Sequence, residues 1–163
     1  MIKINDLDFG YKKNKALFSE LNLEMERGRI YGLLGKNGSG KTTLLKQIAG
    51  LLYPDSGSVI LNGVYSKKRT PQVLSDYYLI PEEFETPGLS MKTFLKITAP
   101  FYPLFNEDAF FRYLQEFKME PNGKLNKLSY GQKKKVLISF GLASNTPLLM
   151  SDEPTNGLDI PSK

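Results

Sequence analysis

Apolar and polar positions alternate through the first part of the chain, which is the pattern of half-buried strands. Residues 2–9 alternate loosely, and residues 17–25 carry apolar side chains at Leu17, Leu21, Leu23 and Met25. The polar turn 10–15 lies between these two segments. Short apolar runs predict four further strands, at 29–34, 58–61, 77–80 and 147–152, of which the second is closed by the hairpin-type pair Asn62-Gly63.

A helical spacing of apolar residues first occurs over 43–52, where Leu44, Ile48 and Leu51 share one face. Three more helices are predicted in the second half of the chain: one over 90–98, one that begins at the N-cap Asn106 and carries Phe110, Leu114 and Phe117, and one over 128–144. Strands around a glycine-rich turn followed by a helix predict an α/β fold. We expect a mostly parallel core sheet, an N-terminal antiparallel β part and an inserted helical subdomain.

Aromatic residues are concentrated in the predicted helical segment, since 11 of the 19 Phe and Tyr residues fall between Tyr77 and Phe117. One interpretation is that they form the core of a small helical subdomain. The other is that Phe84, Phe94 or Phe111 line a groove for a partner protein. We predict a single domain over 1–163, with its catalytic core in 1–81 and 146–163 and the helical subdomain in 82–145.

Composition narrows the chemistry that the chain can carry. The 163 residues include no cysteine and no histidine, which excludes disulfides, thiolate metal sites and histidine-based acid–base chemistry within them. The net charge of +5 is not the concentrated basic patch of a nucleic-acid-binding protein. No apolar run reaches 18 residues, so no membrane-spanning helix is predicted.

One stretch, from Gly35 to Thr42, fits the phosphate-loop pattern Gly-x-x-x-x-Gly-Lys-Ser/Thr. Its glycines let the backbone wrap so that successive N–H groups face one concavity and hold an anion. Lys41 adds a positive charge for the terminal phosphates, and the Thr42 hydroxyl can bind a magnesium ion. The helix that follows directs its positive end at the same phosphates. The stretch therefore predicts nucleotide binding.

Two carboxylates, Asp152 and Glu153, follow the last predicted strand. An Asp in this place can hold magnesium, and an adjacent Glu can polarise a water molecule for attack on the γ-phosphate. A phosphate loop alone fits kinases, GTPases and ATPases. The carboxylate pair, followed by residues 154–159, narrows the choice among these classes of nucleotide-binding protein.

These motifs, together with the signature Leu128-Ser129-Tyr130-Gly131-Gln132, resemble those of an ATP-binding-cassette (ABC) ATPase, the nucleotide-binding subunit of a membrane transporter. Their order and spacing match the family over essentially the whole chain. The resemblance implies ATP and Mg²⁺ as cofactors, a head-to-tail dimer with a second ABC ATPase subunit, and a transmembrane permease subunit as partner. It also implies a cytoplasmic location, on the inner face of the plasma membrane through the permease. No nucleic-acid partner is expected.

The resemblance further implies roles for individual residues. Tyr11 would stack on adenine, Glu153 would be the catalytic glutamate, and Lys41 would contact the β- and γ-phosphates. Thr42 and Asp152 would bind magnesium. The other predicted ATP contacts are Gly35, Asn37, Gly38, Ser39, Gly40 and Thr43 and, from the opposite subunit of the dimer, Ser129, Gly131 and Gln132.

Three features depart from the family pattern. Glu82 takes the place of a magnesium-binding glutamine, and we expect its carboxylate still to reach the metal while altering the coupling to the permease. Tyr130 replaces a commoner glycine. The family carries a switch histidine beyond residues 156–159, and this sequence has none. The sequence therefore resembles a C-terminally shortened cassette, expected to bind MgATP and to hydrolyse it weakly.

Two basic clusters, 67–69 and 133–135, fit a solvated surface best. The alternative for 67–69 is a contact with a lipid or a partner. The alternative for 133–135 is that these lysines add positive potential at the signature. The expected function is ATP hydrolysis that powers transport of an unknown substrate, with a lean towards export. The alternatives are a non-transport ABC ATPase, an ATP-dependent dimerisation module with little hydrolysis, and a P-loop kinase.

Overall fold

The computed structural model describes residues 1–12, 15–120 and 123–158. The chain divides into two compact units, Met1–Tyr77 and Tyr78–Lys163. Strands and helices occur in both units, with an antiparallel sheet in the first and a parallel one in the second, so the predicted α/β class is confirmed. The predicted grouping of 146–163 with 1–81, apart from a subdomain over 82–145, stays a prediction.

The first unit contains a four-stranded antiparallel sheet in the order β2-β1-β3-β4. Its elements are β1 (Ile2–Phe9), β2 (Phe18–Met25), α1 (Lys41–Ile48), β3 (Ser56–Leu61), β4 (Val64–Tyr65), a 3-10 turn (Ser66–Lys68) and α2 (Pro71–Ser75). Ile2 and Ile4 of β1 are buried while Lys3 between them is exposed, as the alternation predicts. The predicted N-terminal antiparallel part is therefore confirmed.

The turn between β3 and β4 forms where the pair Asn62-Gly63 predicts it. Both residues have left-handed backbone conformations, with φ of 50° and 83°, as a two-residue hairpin turn of the favoured hand requires. Ile60 pairs with Tyr65 and Leu61 with Val64 on either side of the turn.

Helix α1 starts and ends earlier than the predicted range 43–52. Leu44 and Ile48 are buried as predicted, but Leu51 lies beyond the helix and is 51% exposed. Gly50 accounts for the early end, because it has a φ of 64° and a Cβ there would lie 2.4 Å from the Ser66 carbonyl oxygen. Arg69 donates a hydrogen bond to the Ala49 carbonyl at 3.1 Å. The Arg69 side chain is therefore bonded to the C-terminal end of α1, and the prediction of a solvated cluster at 67–69 is wrong for this residue.

The strand predicted at 29–34 is wrong. Ile30 and Leu34 are 103% and 97% exposed, and Tyr31 is 47% exposed. Within the described residues, no backbone group of 29–34 hydrogen-bonds to another strand. An apolar run becomes a strand only where a neighbour pairs with its N–H and C=O groups, and the antiparallel sheet supplies none here.

Within its described residues, the second unit contains a two-stranded parallel sheet and three α-helices, and the predicted range of each of these strands and helices is confirmed to within a few residues. Its elements are β5 (Tyr77–Ile80), α3 (Met91–Thr98), a 3-10 turn (Ala99–Phe101), α4 (Glu107–Glu116), a second 3-10 turn (Leu125–Lys127), α5 (Tyr130–Ala143) and β6 (Leu148–Ser151). The predicted N-cap Asn106 accepts a hydrogen bond from the Ala109 N–H at 2.9 Å. Strand β6 is not buried throughout, since Leu149 is 38% exposed.

The core of the second unit is aromatic, as the first of the two interpretations predicts. Phe140 on α5 is fully buried, and its ring centroid lies between 4.8 and 5.5 Å from four others, those of Tyr78, Phe94, Tyr102 and Phe105. Phe94 and Phe111 are half-buried and pack against this core. Among the described residues, no helix is both long enough and apolar enough to cross a membrane.

Candidate functional site

The predicted phosphate loop, residues 35–42, leads directly into α1. Gly38 and Gly40 have left-handed backbone conformations, with φ of 81° and 98°. Such conformations favour glycine, because a Cβ strains the backbone of most other residues there. The Ser39 N–H donates to the Lys36 carbonyl at 3.1 Å, which closes a tight turn before the helix. Residues 35–39 are exposed, as a binding loop must be.

The first turn of α1 presents backbone donors and a cation. Gly40 is the N-cap, and no side chain of the described residues caps the helix there. The N–H groups of the first helical turn therefore remain available to an anion, at the positive end of the helix dipole. Lys41 Nζ donates to the Gly35 carbonyl at 3.1 Å, so the lysine folds back across its own loop. Thr42 is half-buried and Thr43 is 5% exposed.

Tyr11 lies beside this helix start. Its hydroxyl and the Thr43 Oγ1 are 2.9 Å apart in a hydrogen bond, and its ring meets Phe9 edge-on with centroids 5.0 Å apart. The side chain is nevertheless 66% exposed. A cavity of about 540 Å³ adjoins it, lined by Asp8, Phe9, Gly10, Tyr11, Lys12, Ala16, Phe18 and Asp55. The structure thus brings together Tyr11 and Thr43, two of the residues predicted to bind ATP.

Two hydrogen bonds order the wall of this cavity. The Gly10 N–H donates to Asp55 Oδ2 at 3.0 Å, and the Ser56 hydroxyl donates to Asp8 Oδ2 at 2.5 Å. The Ser56 hydroxyl, together with the Glu20 N–H, lowers the pKa of Asp8 below its ordinary value of 3.8. These contacts tie the end of β1 and the residue before Tyr11 to the start of β3.

In the second unit, the carboxylates of Asp152 and Glu153 lie just beyond β6. The Asp152 N–H donates to the Ile80 carbonyl at 2.9 Å, which extends the pairing of β5 with β6 to this point. Asp152 is 5% exposed, and within the described residues its carboxylate makes no hydrogen bond or ion pair. A nearly buried carboxylate without a protein partner fits a cation site. Glu153 is half-buried and has a left-handed backbone, with a φ of 45°.

The predicted signature residues form a capping box at the start of α5. The Gln132 N–H donates to Ser129 Oγ at 3.2 Å, and the Ser129 N–H donates to Gln132 Oε1 at 2.9 Å. The N–H of Gln132 is therefore already hydrogen-bonded within the chain. The Ser129 hydroxyl can still donate its proton to an anion, because a hydroxyl both accepts and donates.

Tyr130 connects the signature to two other segments. Its hydroxyl donates to the Glu82 carbonyl, and its ring stacks on Phe84 with centroids 5.2 Å apart. Burial raises the pKa of the Tyr130 hydroxyl, and the nearby carboxylates of Glu82 and Glu83 raise it further. Gly157 also lies close to the start of α5, since a Cβ added at Gly131 would be 2.4 Å from the Gly157 carbonyl oxygen. Beyond an aromatic residue in place of a glycine, no sequence pattern indicates this cluster.

Glu82 itself is tied to the segment after Glu153. Asn156 Nδ2 donates to Glu82 Oε1 at 3.1 Å. Among the described residues, no three acidic, histidine or cysteine side chains cluster as a ready-made metal site. The role of Glu82 as a magnesium ligand therefore stays a prediction. Asp159, the last of the predicted residues 156–159, lies outside the described residues.

Lys134 is the functional candidate that sequence reasoning missed. The run 133–135 fits a solvated face, but Lys134 is fully buried and its Nζ donates to the Glu153 carbonyl. Lys133 and Lys135 are only half-buried. The run of three lysines does not indicate which one is buried, because three consecutive residues span about 200° of the helix and can all lie outside an apolar stripe about 100° wide.

The predicted site residues thus fall into two groups, one in each unit. The first unit holds the phosphate loop, Thr43 and Tyr11. The second holds Asp152 and Glu153 after β6 and the signature at the start of α5, with Glu82 joined to the latter through Tyr130.

Comparison with known proteins identifies the family. A family model described as ABC transporter matches residues 18–156. The chain is 32% identical over 162 residues to the ABC transporter ATP-binding protein YtrB of Bacillus subtilis (strain 168), covering 98% of this chain and 54% of that protein. It is 31% identical over 169 residues to the SkfA peptide export ATP-binding protein SkfE of the same organism, covering 100% of this chain and 70% of SkfE.

A solved structure gives the same result. The ATP-binding subunit of an ABC transporter superposes with a TM-score of 0.85 at 28% sequence identity, over 98% of this chain and 68% of that one. The chain thus spans from about half to about seven-tenths of the length of these relatives. The family model covers most of the chain, including the phosphate loop, the signature and both carboxylates. The chain therefore belongs to the ABC transporter family.

Proposed function

We propose that this chain binds MgATP at its phosphate loop and hydrolyses it as the ATP-binding subunit of a membrane transporter. The observation that carries the proposal is the start of α1, where left-handed Gly38 and Gly40, an uncapped helix N-terminus and Lys41 converge. This combination is an anion site whose shape suits a chain of phosphates. Family membership then favours ATP as the nucleotide.

Residues of the first unit would bind and orient the nucleotide. Backbone N–H groups of Gly38, Gly40 and their neighbours Asn37 and Ser39 would hold phosphate oxygens, and Lys41 would leave the Gly35 carbonyl for the β- and γ-phosphates. Tyr11 would offer its exposed ring to adenine, held in place by its bond to the buried Thr43. The adjoining cavity, about 540 Å³, has room for a base.

The donor set suits magnesium. Thr42 and Asp152 offer oxygen ligands, which this hard cation prefers, and the nearly buried Asp152 carboxylate lacks a protein partner among the described residues. Glu82 offers a further carboxylate, one oxygen of which accepts a bond from Asn156. When bound, magnesium would neutralise charge on the phosphates. Glu153 would orient a water molecule and accept its proton.

Ser129, Gly131 and Gln132 would contact the γ-phosphate of a second ABC ATPase subunit in a head-to-tail dimer. That role requires the signature to face outwards, and Ser129 and Gln132 are both exposed. A permease subunit would receive the motion through the segment around Glu82, which would place the chain on the cytoplasmic face of the membrane. Similarity to a peptide export protein supports an exporter.

The binding part of the proposal is tested by titrating the purified chain with MgATP. Lys41→Met is expected to weaken binding by about 10-fold or more, because a charge-assisted hydrogen bond contributes about 1.5–3 kcal/mol. Lys36→Met, in the same exposed loop, is the matched control and should leave the affinity unchanged. Equal affinities for the wild type and Lys41→Met would contradict the site.

The catalytic part is tested by single-turnover hydrolysis with Glu153→Gln. Product should form in the wild type and be nearly abolished in the variant. Equal product in both would favour an ATP-dependent dimerisation module.

The transport part is tested by co-expression with a membrane-spanning permease encoded next to this reading frame, and failure of the two to co-purify would favour a non-transport ABC ATPase.

A further inference from the structure

Lys134 is a fully buried cation on the second turn of α5. Its Nζ donates to the Glu153 carbonyl and lies 6.0 Å from the centroid of the Tyr130 ring, one helical turn earlier. A buried ammonium group is costly unless polar partners replace its water. A backbone carbonyl and the face of an aromatic ring are such partners. The hydrogen bond to the Glu153 carbonyl therefore links the position of the ammonium group to the backbone of Glu153.

Glu153 has an unusual backbone. Its φ of 45° is left-handed, a region that non-glycine residues seldom occupy and that persists only where the surroundings impose it. The direction of its carbonyl and the direction of its side chain are set at the same Cα atom. A bond that fixes the carbonyl therefore also helps to fix where the carboxylate begins.

We propose that Lys134 is a positioning residue for Glu153, holding the backbone of the proposed catalytic glutamate so that its carboxylate points at the reacting phosphate. The inference rests on the proposed function, in which Glu153 orients the attacking water. Lys134 itself would touch neither nucleotide nor water. It would act through the Glu153 carbonyl alone, and its loss would affect the chemical step more than nucleotide binding.

The alternative is a purely structural role, in which Lys134 only stabilises the fold. Lys134→Met distinguishes the two, because methionine keeps much of the length and the apolar stem but removes the ammonium group. Matched controls exist on either side, since Lys133→Met and Lys135→Met make the same chemical change at half-buried positions. We expect kcat for ATP hydrolysis to fall by about 10- to 100-fold in Lys134→Met, as small misplacements of catalytic groups do. The KM for ATP should stay within about twofold, as expected for a residue that acts on the chemical step alone.

A double variant sharpens the test. In the Glu153→Gln background, Lys134→Met should cause no further loss in single-turnover rate, because there is no carboxylate left to position. A purely structural role would lower both backgrounds by the same factor. That result would overturn the proposal, as would wild-type kcat in Lys134→Met or a kcat no lower than in Lys135→Met. Should Lys134→Met fail to fold, Lys134→Gln against Lys135→Gln decides by the same comparison.

Amide hydrogen exchange separates this proposal from the proposed function. Without nucleotide, Lys134→Met should speed exchange over 153–157 by about 10-fold, relative to Lys135→Met, since opening of this segment no longer breaks the bond to the ammonium group. If the wild type hydrolysed no ATP, the proposed function would fail while this exchange difference would remain. Unchanged exchange in a folded Lys134→Met would overturn the positioning role.

Discussion

The side-chain amide of Asn156 donates a hydrogen bond to Oε1 of Glu82 at 3.1 Å. Tyr130 reaches the same residue from α5, through its hydroxyl and the Glu82 carbonyl. The segment after β5, the start of the signature helix and the segment after Glu153 therefore share one set of contacts. A displacement of Glu82 would therefore be transmitted to the other two segments, as the proposed coupling to a permease subunit requires.

The Tyr130 hydroxyl is expected to stabilise this set of contacts. Tyr130→Phe removes the bond to Glu82 and keeps the ring on Phe84, so the free energy of unfolding should fall by about 0.5–1.5 kcal/mol. Tyr130→Ala also loses the ring contact, and its loss should be greater by about 0.5–1.5 kcal/mol. Urea denaturation measures both. Tyr113→Phe, on α4, is the control, and equal stability of Tyr130→Phe and wild type would contradict the prediction.

Gly131 is expected to be required although it lies within a helix. Alanine would gain about 1 kcal/mol of helix propensity at an unconstrained position. Its Cβ, however, would lie 2.4 Å from the Gly157 carbonyl oxygen, a backbone atom. We expect the crowding to dominate, with Gly131→Ala less stable by about 1–3 kcal/mol in urea denaturation. Gly32→Ala, where a Cβ meets nothing within 4 Å, should be close to neutral, and a stabilised Gly131→Ala would refute the contact.

Local signals in the sequence predicted most of the elements. Asn106 caps its helix and Asn62-Gly63 turns its hairpin as predicted, because each depends on a few neighbouring atoms. The prediction of a strand at 29–34 fails, because an apolar run becomes a strand only where another segment pairs with it, and local signals do not show whether one does. The helical spacing predicts that Leu51 shares a helix with Leu44 and Ile48, but the helix ends before it, at the left-handed Gly50.

The candidate site shows the same division. The phosphate loop is predictable because its chemistry lies in eight consecutive residues, 35–42. The contact of Tyr130 with Glu82 joins residues 48 positions apart, and no pattern within either segment encodes it. Lys134 belongs with the second case. Three consecutive lysines can all face solvent on a helix, so only the folded chain shows that Lys134 is buried and that its ammonium group meets the Glu153 carbonyl.

Gly40 is expected to be irreplaceable for nucleotide binding. Its φ of 98° strains any other residue, and a Cβ there would lie 2.8 Å from the Phe18 ring, which lines the cavity beside Tyr11. Gly40→Ala should therefore weaken MgATP binding by about 10-fold or more, as loss of a charged hydrogen bond does. Gly63→Ala shares the backbone strain, with a φ of 83°, but meets nothing within 4 Å. Its MgATP affinity should equal that of the wild type, and equal affinities in both variants would contradict the prediction.

The hydrogen bonds to Asp8 give a pH dependence of known sign. Because they lower the folded-state pKa below 3.8, their contribution to stability is present above pH 3.8. It is lost as the pH falls through the folded pKa. The titration midpoint of the Asp8 carboxyl carbon in NMR should lie below 3.8 and rise in Ser56→Ala, which removes the main donor. Ser58→Ala, on the same strand, should leave it unchanged, and a midpoint at or above 3.8 in the wild type would be contrary to this account.

Tyr11 is expected to contribute to binding of the base and not of the phosphates. Its ring is 66% exposed and anchored through its hydroxyl to Thr43. Stacking of a base on an aromatic side chain is worth about 1–3 kcal/mol, so Tyr11→Ala should weaken MgATP binding by about 5- to 150-fold. Tyr11→Phe keeps the ring and loses only its anchor, and its affinity should lie between the two. Calorimetric titration measures all three.

Inorganic tripolyphosphate makes the test of Tyr11 specific. It offers the same charges to the loop 35–42 without a base, so its affinity should be the same in the wild type and in Tyr11→Ala. Tyr53→Ala is the matched control, because Tyr53 is 57% exposed in the same unit but does not line the cavity. If Tyr11→Ala weakened tripolyphosphate and MgATP equally, the ring would be supporting the loop through Thr43 and not holding a base.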